Sequence, residues 1–435
     1  MPDMNKQLSA GIIGAGMMGI HLARRLSAEG FRVTLIEGAP APGGLAGSAK
    51  FGDYTWDRFY HVILPDDRFT LSLISSLGLD SDLVMKETKT GFYVDGKFYS
   101  LSNTWEFATF PVIGIPGKIR LALTILAGSL IKDYRKLETI PVTDWLVRWS
   151  GKKVFERIWL PLLKAKLGDS YKLSSAAFIC ATIKRLYGAR KKGAKKETFG
   201  YVKGGYARVL NAIAQRIREE GIGLLTGFKV SEIQYNNNEF TISSTDGRQA
   251  GYDMVISTLP SFVNSSLCPQ LKPEEHESLK QVRYLGVICV SMLLKKPLTS
   301  FYVTNIADES IPFTGVIEMT ALVDREQFGG NSLVYLPKYV DQNDNLFHTP
   351  DEEIIKSFTE WLRKMHPDLL EEDILDCRVA RARQVISIPQ MEYSGKLPSF
   401  RTSLRRFYIV NSSFITDGTL NINETIRVAE THLPS

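Results

Sequence analysis

Residues 8–37, LSAGIIGAGMMGIHLARRLSAEGFRVTLIE, decide the fold of this chain. The apolar run at residues 8–13 predicts a short buried strand, and residues 17–29 predict a helix. Residues 31–37, rich in aliphatic and β-branched side chains, predict a second strand. The segment therefore predicts a βαβ unit, with a glycine-rich turn between its first strand and its helix.

That turn matches G-x-G-x-x-G at Gly14, Gly16 and Gly19, with Met18 inside it. The first glycine permits a tight turn, the second lets a pyrophosphate approach the backbone, and the third lets helix and strand pack closely. The phosphates would meet the free N–H groups and the positive dipole at the start of the helix. Glu37 ends the second strand, where a carboxylate can accept from ribose hydroxyls and would repel a 2′-phosphate. These residues predict a dinucleotide site and disfavour NADP.

Composition supports a globular protein large enough for two packed domains. The chain has 435 residues, of which 44% are hydrophobic and 23% charged, with a net charge of +6. Nucleic-acid binders usually show a dense basic stripe with interleaved aromatic residues, and the sequence shows only one short candidate for such a stripe. Four widely spaced cysteines make a disulfide framework or a zinc site unlikely and fit a reducing cytoplasm. The longest apolar run, residues 121–131, is too short to span a membrane, so we expect a cytoplasmic protein that contacts membranes peripherally at most.

A second glycine-rich stretch, PGGLAGS at residues 42–48, favours a flavin over a nicotinamide cofactor. Its glycine pair, Gly43 and Gly44, suits another close backbone approach to phosphate and ribityl groups. Counted from Glu37, the pair resembles the E-x(5)-GG arrangement of the superfamily of FAD-dependent amine oxidases, protoporphyrinogen oxidases and phytoene desaturases. The resemblance implies FAD as the cofactor.

The resemblance covers most of the chain. YVKGG at residues 201–205, before an amphipathic helical pattern, is similar to the entry of the family's middle nucleotide-binding segment. DMVISTLP at residues 253–260 is similar to its D-x-V-I-x-T-x-P strand end, and residues 408–424 look like the segment that closes over the flavin. Val230 falls where the backbone of family members meets the adenine.

Two departures from the family pattern lie near the expected flavin. Leu45 stands where the family often has Arg or Lys, and Asn411 with Ser412 replaces the usual Gly-Asp, although both can still form hydrogen bonds. No cysteine lies near this C-terminal segment, so we expect the FAD to be non-covalent. Asn421 and Asn423 begin the last helix, whose N–H groups and dipole would face flavin N1 and O2 or would simply be capped by an asparagine.

The order of elements predicts an α/β fold in which two domains are interleaved. We expect a Rossmann-like FAD-binding domain from residues 1–85, 200–280 and 395–435. We expect a mixed α+β substrate domain from residues 86–199 and 281–394. Residues 71–196 show a mainly helical pattern.

Candidate catalytic residues follow from the resemblance and from side-chain chemistry. DRFYH, which ends at His61, stands where relatives carry a D-x-G-x-H-like stretch facing the isoalloxazine. His61 could shuttle a proton or serve as a structural histidine, and Tyr60 could form a wall of the ring pocket or belong to the core. Tyr335 and Lys338 lie at the end of a predicted strand, and relatives present substrate-facing groups from such strands. Lys338 could be the flavin-side lysine of amine oxidases, or it could be an exposed lysine. Glu318 could be a polar group of the substrate cavity or a solvated strand end.

The helical region bears on the substrate. Residues 111–134 are apolar with basic flanks, as in a helix at a membrane interface, although in a large protein this periodicity more often marks a core helix. Residues 184–196 hold the densest basic cluster, which is a solvated loop or a site for an anionic group. We therefore expect a small apolar or amphiphilic substrate; the sequence does not indicate the electron acceptor.

Three functions fit these observations. The first is an FAD-dependent oxidoreductase that oxidises or desaturates an apolar organic substrate, as protoporphyrinogen oxidases and phytoene desaturases do. The second is a non-redox flavin-dependent isomerase resembling UDP-galactopyranose mutase. The third is a binding protein like the Rab GDP-dissociation inhibitors, against which the intact glycine turn and Glu37 argue.

Overall fold

The computed structural model describes residues 7–188 and 197–434. The predicted α/β class and its interleaved arrangement are confirmed: strands from distant parts of the chain assemble into one parallel and one mixed sheet, with helices around them. Most of the predicted basic cluster, residues 189–196, lies outside the described residues.

The strands, in chain order, are β1 (Ser9–Ile13), β2 (Arg32–Ile36), β3 (Ser48–Phe51), β4 (Tyr54–Asp57), β5 (Leu83–Glu87), β6 (Thr90–Val94), β7 (Lys97–Ser100), β8 (Thr198–Val202), β9 (Gly223–Leu225), β10 (Val230–Asn236), β11 (Glu239–Ser244), β12 (Gln249–Tyr252), β13 (Met254–Ser257), β14 (Tyr284–Leu294), β15 (Val303–Ile306), β16 (Gly315–Glu318), β17 (Ser332–Asp341), β18 (Ile374–Ser387) and β19 (Phe407–Ile409).

The helices are α1 (Met17–Ala28), α2 (Arg68–Ser76), α3 (Thr104–Thr109), α4 (Ile115–Leu130), α5 (Val142–Ser150), α6 (Lys152–Val154), α7 (Leu160–Leu167), α8 (Ala176–Gly188), α9 (Gly205–Glu219), α10 (Ser261–Leu267), α11 (Pro273–Gln281), α12 (Asp351–Met365) and α13 (Ile422–Thr431). A π-helical turn, Phe155–Trp159, joins α6 to α7.

The parallel sheet has the strand order β19-β13-β1-β2-β9. Its central strand, β1, is buried on both faces and pairs in parallel with β2 and with β13. Parallel sheets are covered on both sides, which explains why the inner strands β1 and β13 are buried at every residue, without alternation. α1, α9 and α13 pack on one face, and the antiparallel sheet β10-β11-β12 packs towards the other.

The mixed sheet has the order β18-β14-β17-β16-β15-β6-β7. Its longest pairings join β14 to β17 and to β18, all three antiparallel. All strands of this sheet come from residues 90–100 and 284–387, whereas those of the parallel sheet come from residues 9–36, 223–257 and 407–409. The exact domain bounds given above stay a prediction.

The mainly helical reading of residues 71–196 was wrong at its start, because β5, β6 and β7 lie within it. β5 pairs with β8, and β6 pairs with β15, which is more than 200 residues away in sequence. Such partners leave no local pattern in the sequence, so the short strands could not be recognised from periodicity. From α3 to α8 the segment is helical, and α4 packs against α5 and α8. Among the described residues, no helix is long and apolar enough to cross a membrane.

Candidate active site

A cavity of about 420 Å³ opens at the carboxyl ends of β1 and β2. Its wall combines the start of α1, the loop after β2, the end of β13 and the start of α13, so it is built from both ends of the chain. The predicted cofactor residues that line this cofactor cavity are Gly14, Gly16, Met18, Glu37, Gly43, Gly44, Leu45, Asn411 and Asn421.

The three glycines of the turn have three different surroundings. Gly14 has φ +99°, and a Cβ there would lie 2.4 Å from Thr258 Oγ1. A Cβ at Gly19 would lie 1.9 Å from the carbonyl oxygen of Gly14, so this glycine permits helix and strand to pack. A Cβ at Gly16 would meet no protein atom within 4 Å. The space in front of Gly16 is therefore open to a ligand, as a pyrophosphate site at the start of α1 requires.

Glu37 holds the glycine turn against the end of β2. Its Oε2 accepts from the backbone N–H of Ala15 at 2.9 Å, and its Oε1 accepts from that of Ala39 at 2.9 Å. The N–H of Phe228 donates to the Glu37 carbonyl at 2.8 Å, which brings the segment before Val230 to the same edge. Val230 itself does not line the cofactor cavity.

The glycine pair lies directly against the turn. Gly43 donates its N–H to the Ala15 carbonyl at 2.8 Å, and a Cβ at Gly44 would lie 3.2 Å from Gly16 Cα. Arg58 does not line the cavity, but its Nη2 donates to the Gly44 carbonyl at 2.9 Å. The sequence analysis did not single out Arg58. Its guanidinium contacts this loop, whereas the position at which the family often has Arg or Lys is Leu45 in this chain.

Two of the C-terminal candidates are engaged mainly in holding the backbone. Asn411 is 3% exposed; its Nδ2 donates to the Leu259 carbonyl at 2.8 Å, and its Oδ1 accepts from the N–H of Ser413 at 2.9 Å. Asn423 faces away from the cavity, and its Oδ1 accepts from the N–H of Phe69 at 2.9 Å, which satisfies the start of α2.

Asn421 combines both expected roles. Its Oδ1 accepts from the N–H of Glu424 at 3.0 Å and so caps α13, while the residue itself lines the cavity together with Ile422 and Thr425. The first turn of α13 therefore borders the cofactor cavity, where its positive end favours negative charge.

His61 and Tyr60 also line the cofactor cavity. His61 Nδ1 lies 3.6 Å from Oδ2 of Asp57, a buried carboxylate whose Oδ1 accepts from the N–H of Tyr206 at 2.7 Å. A Cβ at Gly205 would lie 2.8 Å from the same Oδ1, so the second glycine of YVKGG makes room for Asp57. Asp57 thus sits at the start of α9, with one carboxylate oxygen bonded to that helix and the other near the histidine ring.

Two other catalytic candidates, Tyr335 and Lys338, do not line the cofactor cavity. Tyr335 is fully buried behind Tyr60, and its hydroxyl donates to the Asp57 carbonyl at 2.6 Å. Lys338 lies on the opposite face of β17 from Tyr335 and Tyr339, because side chains alternate along a strand, and it lines no described cavity. Burial lowers the pKa of Lys338. The structure therefore gives no support to Lys338 as the flavin-side lysine.

Glu318 is likewise part of the protein interior. It is 1% exposed, and it accepts from the Leu298 N–H at 3.0 Å and the Thr320 hydroxyl at 2.6 Å. Burial raises its pKa to about 7. It lines neither of the two large cavities, so it is not the polar group of a substrate site.

A second cavity, of about 530 Å³, adjoins the first. Its wall is mainly apolar and comes from α4, α7, α8, β18 and the segment before α13. The apolar side chains of the helices that line it are Ile125, Trp159, Leu162, Leu163, Phe178, Ile179, Ile183 and Leu186. We refer to it as the apolar cavity.

Five residues line both cavities and so form their junction: Tyr60, Lys166, Val385, Ser412 and Leu420. Lys166, on α7, is half-buried, and its Nζ donates to the Tyr339 hydroxyl at 3.0 Å. The Tyr339 and Tyr60 hydroxyls are hydrogen-bonded at 3.0 Å. Burial raises the pKa of Tyr339 to about 12 and that of Tyr60 well above its ordinary value, so both phenols are neutral near neutral pH. No motif marks Lys166 in the sequence, and only the folded chain brings it here.

Comparison with known proteins places this geometry in a family. The family model for flavin containing amine oxidoreductases matches residues 17–403. Protoporphyrinogen oxidase 1 of Spinacia oleracea chloroplasts is 24% identical over 417 residues, which cover 85% of this chain and 73% of that protein.

Solved structures show the same fold. A protein of Exiguobacterium sp. 255-15, described as a protoporphyrinogen oxidase, superposes with a TM-score of 0.76 at 15% identity, over 98% of both chains. Reduced UDP-galactopyranose mutase superposes with a TM-score of 0.74 at 16% identity, over 98% of this chain and 95% of that one. At such identities the superpositions establish the fold, and the match of the family model establishes the family. The chain belongs to the flavin-containing amine oxidoreductases and is an FAD-dependent oxidoreductase.

Proposed function

We propose that the enzyme oxidises or desaturates an apolar organic molecule bound in the apolar cavity, in the manner of protoporphyrinogen oxidases and phytoene desaturases. The observation that carries this proposal is the junction of the two cavities, where a mainly apolar volume of about 530 Å³ meets the cofactor cavity. Burying an apolar molecule there is favourable by about 25 cal/mol per Å² of apolar surface. Large apolar cavities with few polar groups are typical ligand sites.

The residues of the cofactor cavity fit FAD. The open space at Gly16 admits the pyrophosphate, Glu37 borders the expected ribose position, and the start of α13 faces the other end. When bound, FAD would serve as the acceptor for the hydride or electrons that leave the substrate. None of the four cysteines lines the cofactor cavity, which supports non-covalent binding.

The residues of the protein then have three tasks. The apolar wall excludes water from the reacting carbon atoms and orients the substrate at the junction. Tyr60, neutral and hydrogen-bonded to Tyr339, closes one side of the junction. His61 lines the cofactor cavity with its Nδ1 3.6 Å from Oδ2 of Asp57, and we assign to its imidazole the acceptance or return of a proton there.

An anaerobic titration tests the proposed reaction. The purified holoenzyme would be mixed with a panel of apolar CH–CH donors, including protoporphyrinogen and phytoene, and with CH–NH donors such as putrescine. We expect the flavin absorbance to bleach with a member of the first group. If only amines bleach the flavin, the proposed substrate class is wrong.

A non-redox isomerase resembling UDP-galactopyranose mutase is the second candidate, and shared fold is its only support. It predicts binding of a sugar nucleotide and activity only after reduction with dithionite. The mainly apolar wall of the second cavity argues against a nucleotide ligand there. Calorimetric titration with UDP-galactose separates the two, since only the isomerase predicts binding.

We further propose that the outer face of α4 rests on an anionic membrane surface. Exposed apolar side chains recur along this helix, and Ile115 and Leu130 are 72% and 68% exposed. Trp105, on α3, is 77% exposed, and the exposed Lys132, Arg135 and Lys136 follow the end of α4. An apolar stripe with adjacent basic residues is typical of helices at an anionic bilayer surface. The exposed apolar side chains of α4 are Ile115, Ile119, Leu123, Leu126 and Leu130.

Flotation with vesicles tests this contact. The wild-type protein should float with vesicles that contain phosphatidylserine, and the double variant Ile119→Glu, Leu123→Glu should stay in solution with its FAD content unchanged. Equal flotation of the two proteins, or no flotation of the wild type, would contradict the proposal.

A further inference from the structure

The charge of Lys166 at the cavity junction has no counter-ion within the part of the chain that the structure describes. Among the described residues, no carboxylate oxygen lies within 4.0 Å of its Nζ. Its polar contact is the hydroxyl of Tyr339, whose ring centroid lies 4.2 Å from Nζ. That phenol is neutral, so the contact leaves the positive charge uncompensated.

The other charged side chains of the apolar cavity are engaged. Arg185 forms a two-point ion pair with Asp67, at 2.9 Å and 3.3 Å. Glu197 accepts from the hydroxyl of Thr90 at 2.9 Å. Arg185 is neutralised by its ion pair and Glu197 carries a negative charge, so Lys166 is the cation at the junction of the two cavities that can pair with an anionic group.

A half-buried ammonium beside a mainly apolar cavity discriminates between ligands by charge. A protonated amine placed at the junction would meet a like charge at short range in a medium of low dielectric constant. A carboxylate or phosphate there would form a charge-assisted hydrogen bond with Nζ, which is stronger than a bond between neutral groups. A neutral molecule experiences neither the repulsion nor the charge-assisted hydrogen bond.

We propose that Lys166 binds an anionic group of the substrate at the junction, so that the enzyme selects apolar acids and disfavours apolar amines. This inference rests on the proposed function, since it specifies the substrate of the same cavity. It separates this chain from the amine substrates that its family name suggests.

Three probes of equal chain length test the inference: decanoate, decanol and decylammonium. Their binding to the holoenzyme would be measured by isothermal titration calorimetry at neutral pH. We expect decanoate to bind at least about 10-fold more tightly than decanol, as one charge-assisted hydrogen bond allows, and decylammonium to bind most weakly. In Lys166→Met, decanoate should bind no more tightly than decanol, since the carboxylate loses its partner, and the affinity for decanol should be retained.

Lys164→Met is the matched control. Lys164 lies on the same helix, but its Nζ pairs with Glu309 at 2.7 Å, and it lines neither large cavity. This variant should keep the full preference for decanoate. A purely structural role of Lys166 would instead weaken all three probes alike in Lys166→Met, which would overturn the inference.

Three further outcomes would overturn it: a preference for decanoate that survives Lys166→Met, tight binding of decylammonium, or no binding of any probe. A shift in flavin reduction potential in Lys166→Met without a change in the charge preference would instead assign Lys166 to the cofactor, and would also overturn it. Because the probes need not react, the binding result is independent of the flavin-bleaching test. The proposed reaction can therefore fail while the charge preference stands.

Discussion

Gly16 and Gly19 lie three residues apart in one turn and satisfy two different requirements. A Cβ at Gly19 would collide with the Gly14 carbonyl at 1.9 Å, whereas a Cβ at Gly16 would enter open space. Gly19 is therefore needed by the fold and Gly16 by the ligand. The sequence motif predicted both positions, and the structure separates their roles.

Gly19→Ala should destabilise the protein even in the absence of FAD. The added methyl group cannot be accommodated without moving α1 away from β1, and we expect a loss of at least about 3 kcal/mol in the free energy of unfolding. Urea denaturation of the apoprotein, followed by tryptophan fluorescence, measures it. An apoprotein as stable as the wild type would show that the close contact between turn and helix is absent.

Glu37 should contribute to FAD affinity through the shape of the turn. Its carboxylate accepts from two backbone N–H groups, each bond at 2.9 Å, and the side-chain amide of Gln can replace only one of these acceptors. We expect Glu37→Ala to weaken FAD binding by roughly 10- to 100-fold and Glu37→Gln by less. Fluorescence titration of the apoproteins with FAD measures both constants; equal affinity of all three proteins would contradict this role.

At the scale of elements, the predictions succeeded where the pattern is local. β1, α1 and β2 begin and end within about a residue of the predicted bounds, and the last helix starts at Ile422 with Asn421 as its cap. They failed where pairing is distant: β5, β6 and β7 were read as part of a helical region. The YVKGG stretch was expected to precede an amphipathic helix, and α9 does begin at its last glycine, Gly205; its first two residues end β8, which the sequence did not indicate.

Acid sensitivity should arise at the end of α12. His366 follows the last residue of this helix, its Nε2 is buried with no hydrogen-bond partner among the residues described, and burial lowers its pKa to about 4. Because the unfolded chain binds a proton near pH 6.5, the folded state loses stability as the pH falls from about 6.5 towards 4, by at most about 3 kcal/mol.

His366→Phe, which replaces the ring beside Phe98, should flatten this pH dependence. Urea denaturation at pH 7 and pH 5 would give the change in free energy of unfolding for the wild type, for this variant and for His348→Gln. His348 is exposed, so its variant should retain the wild-type loss. Equal losses in the wild type and His366→Phe would show that other groups carry the acid sensitivity.

At the scale of the whole molecule, the candidate active site is formed by segments that are remote from one another in sequence. The junction brings together Tyr60, Lys166, Val385, Ser412 and Leu420. Motifs predicted the cofactor side, because glycines and an acidic strand end are required there by any bound dinucleotide. The apolar side has no motif, since many side chains can form an apolar wall, and Lys166 could not be distinguished from other helix lysines.

Filling the apolar cavity should separate substrate binding from cofactor binding. Ile125 lines this cavity from α4 and does not line the cofactor cavity. We expect Ile125→Trp to slow flavin reduction by the substrate at least about 10-fold through lost binding energy and misplacement, with FAD content unchanged. Stopped-flow absorbance measures the rate. The control is Ala122→Trp, on the exposed side of the same helix, and a similar slowing in both variants would contradict the assignment of the cavity.

The flavin content of three purified proteins tests the central claim most directly: the wild type, Gly16→Val and Gly395→Val. A Cβ at Gly395, like one at Gly16, meets no atom within 4 Å, but this residue lies outside the cofactor cavity. We predict one FAD per chain in the wild type and in Gly395→Val, and almost none in a folded Gly16→Val, even after incubation with excess FAD. A Gly16→Val protein that retains full FAD would show that the cofactor does not lie on this turn.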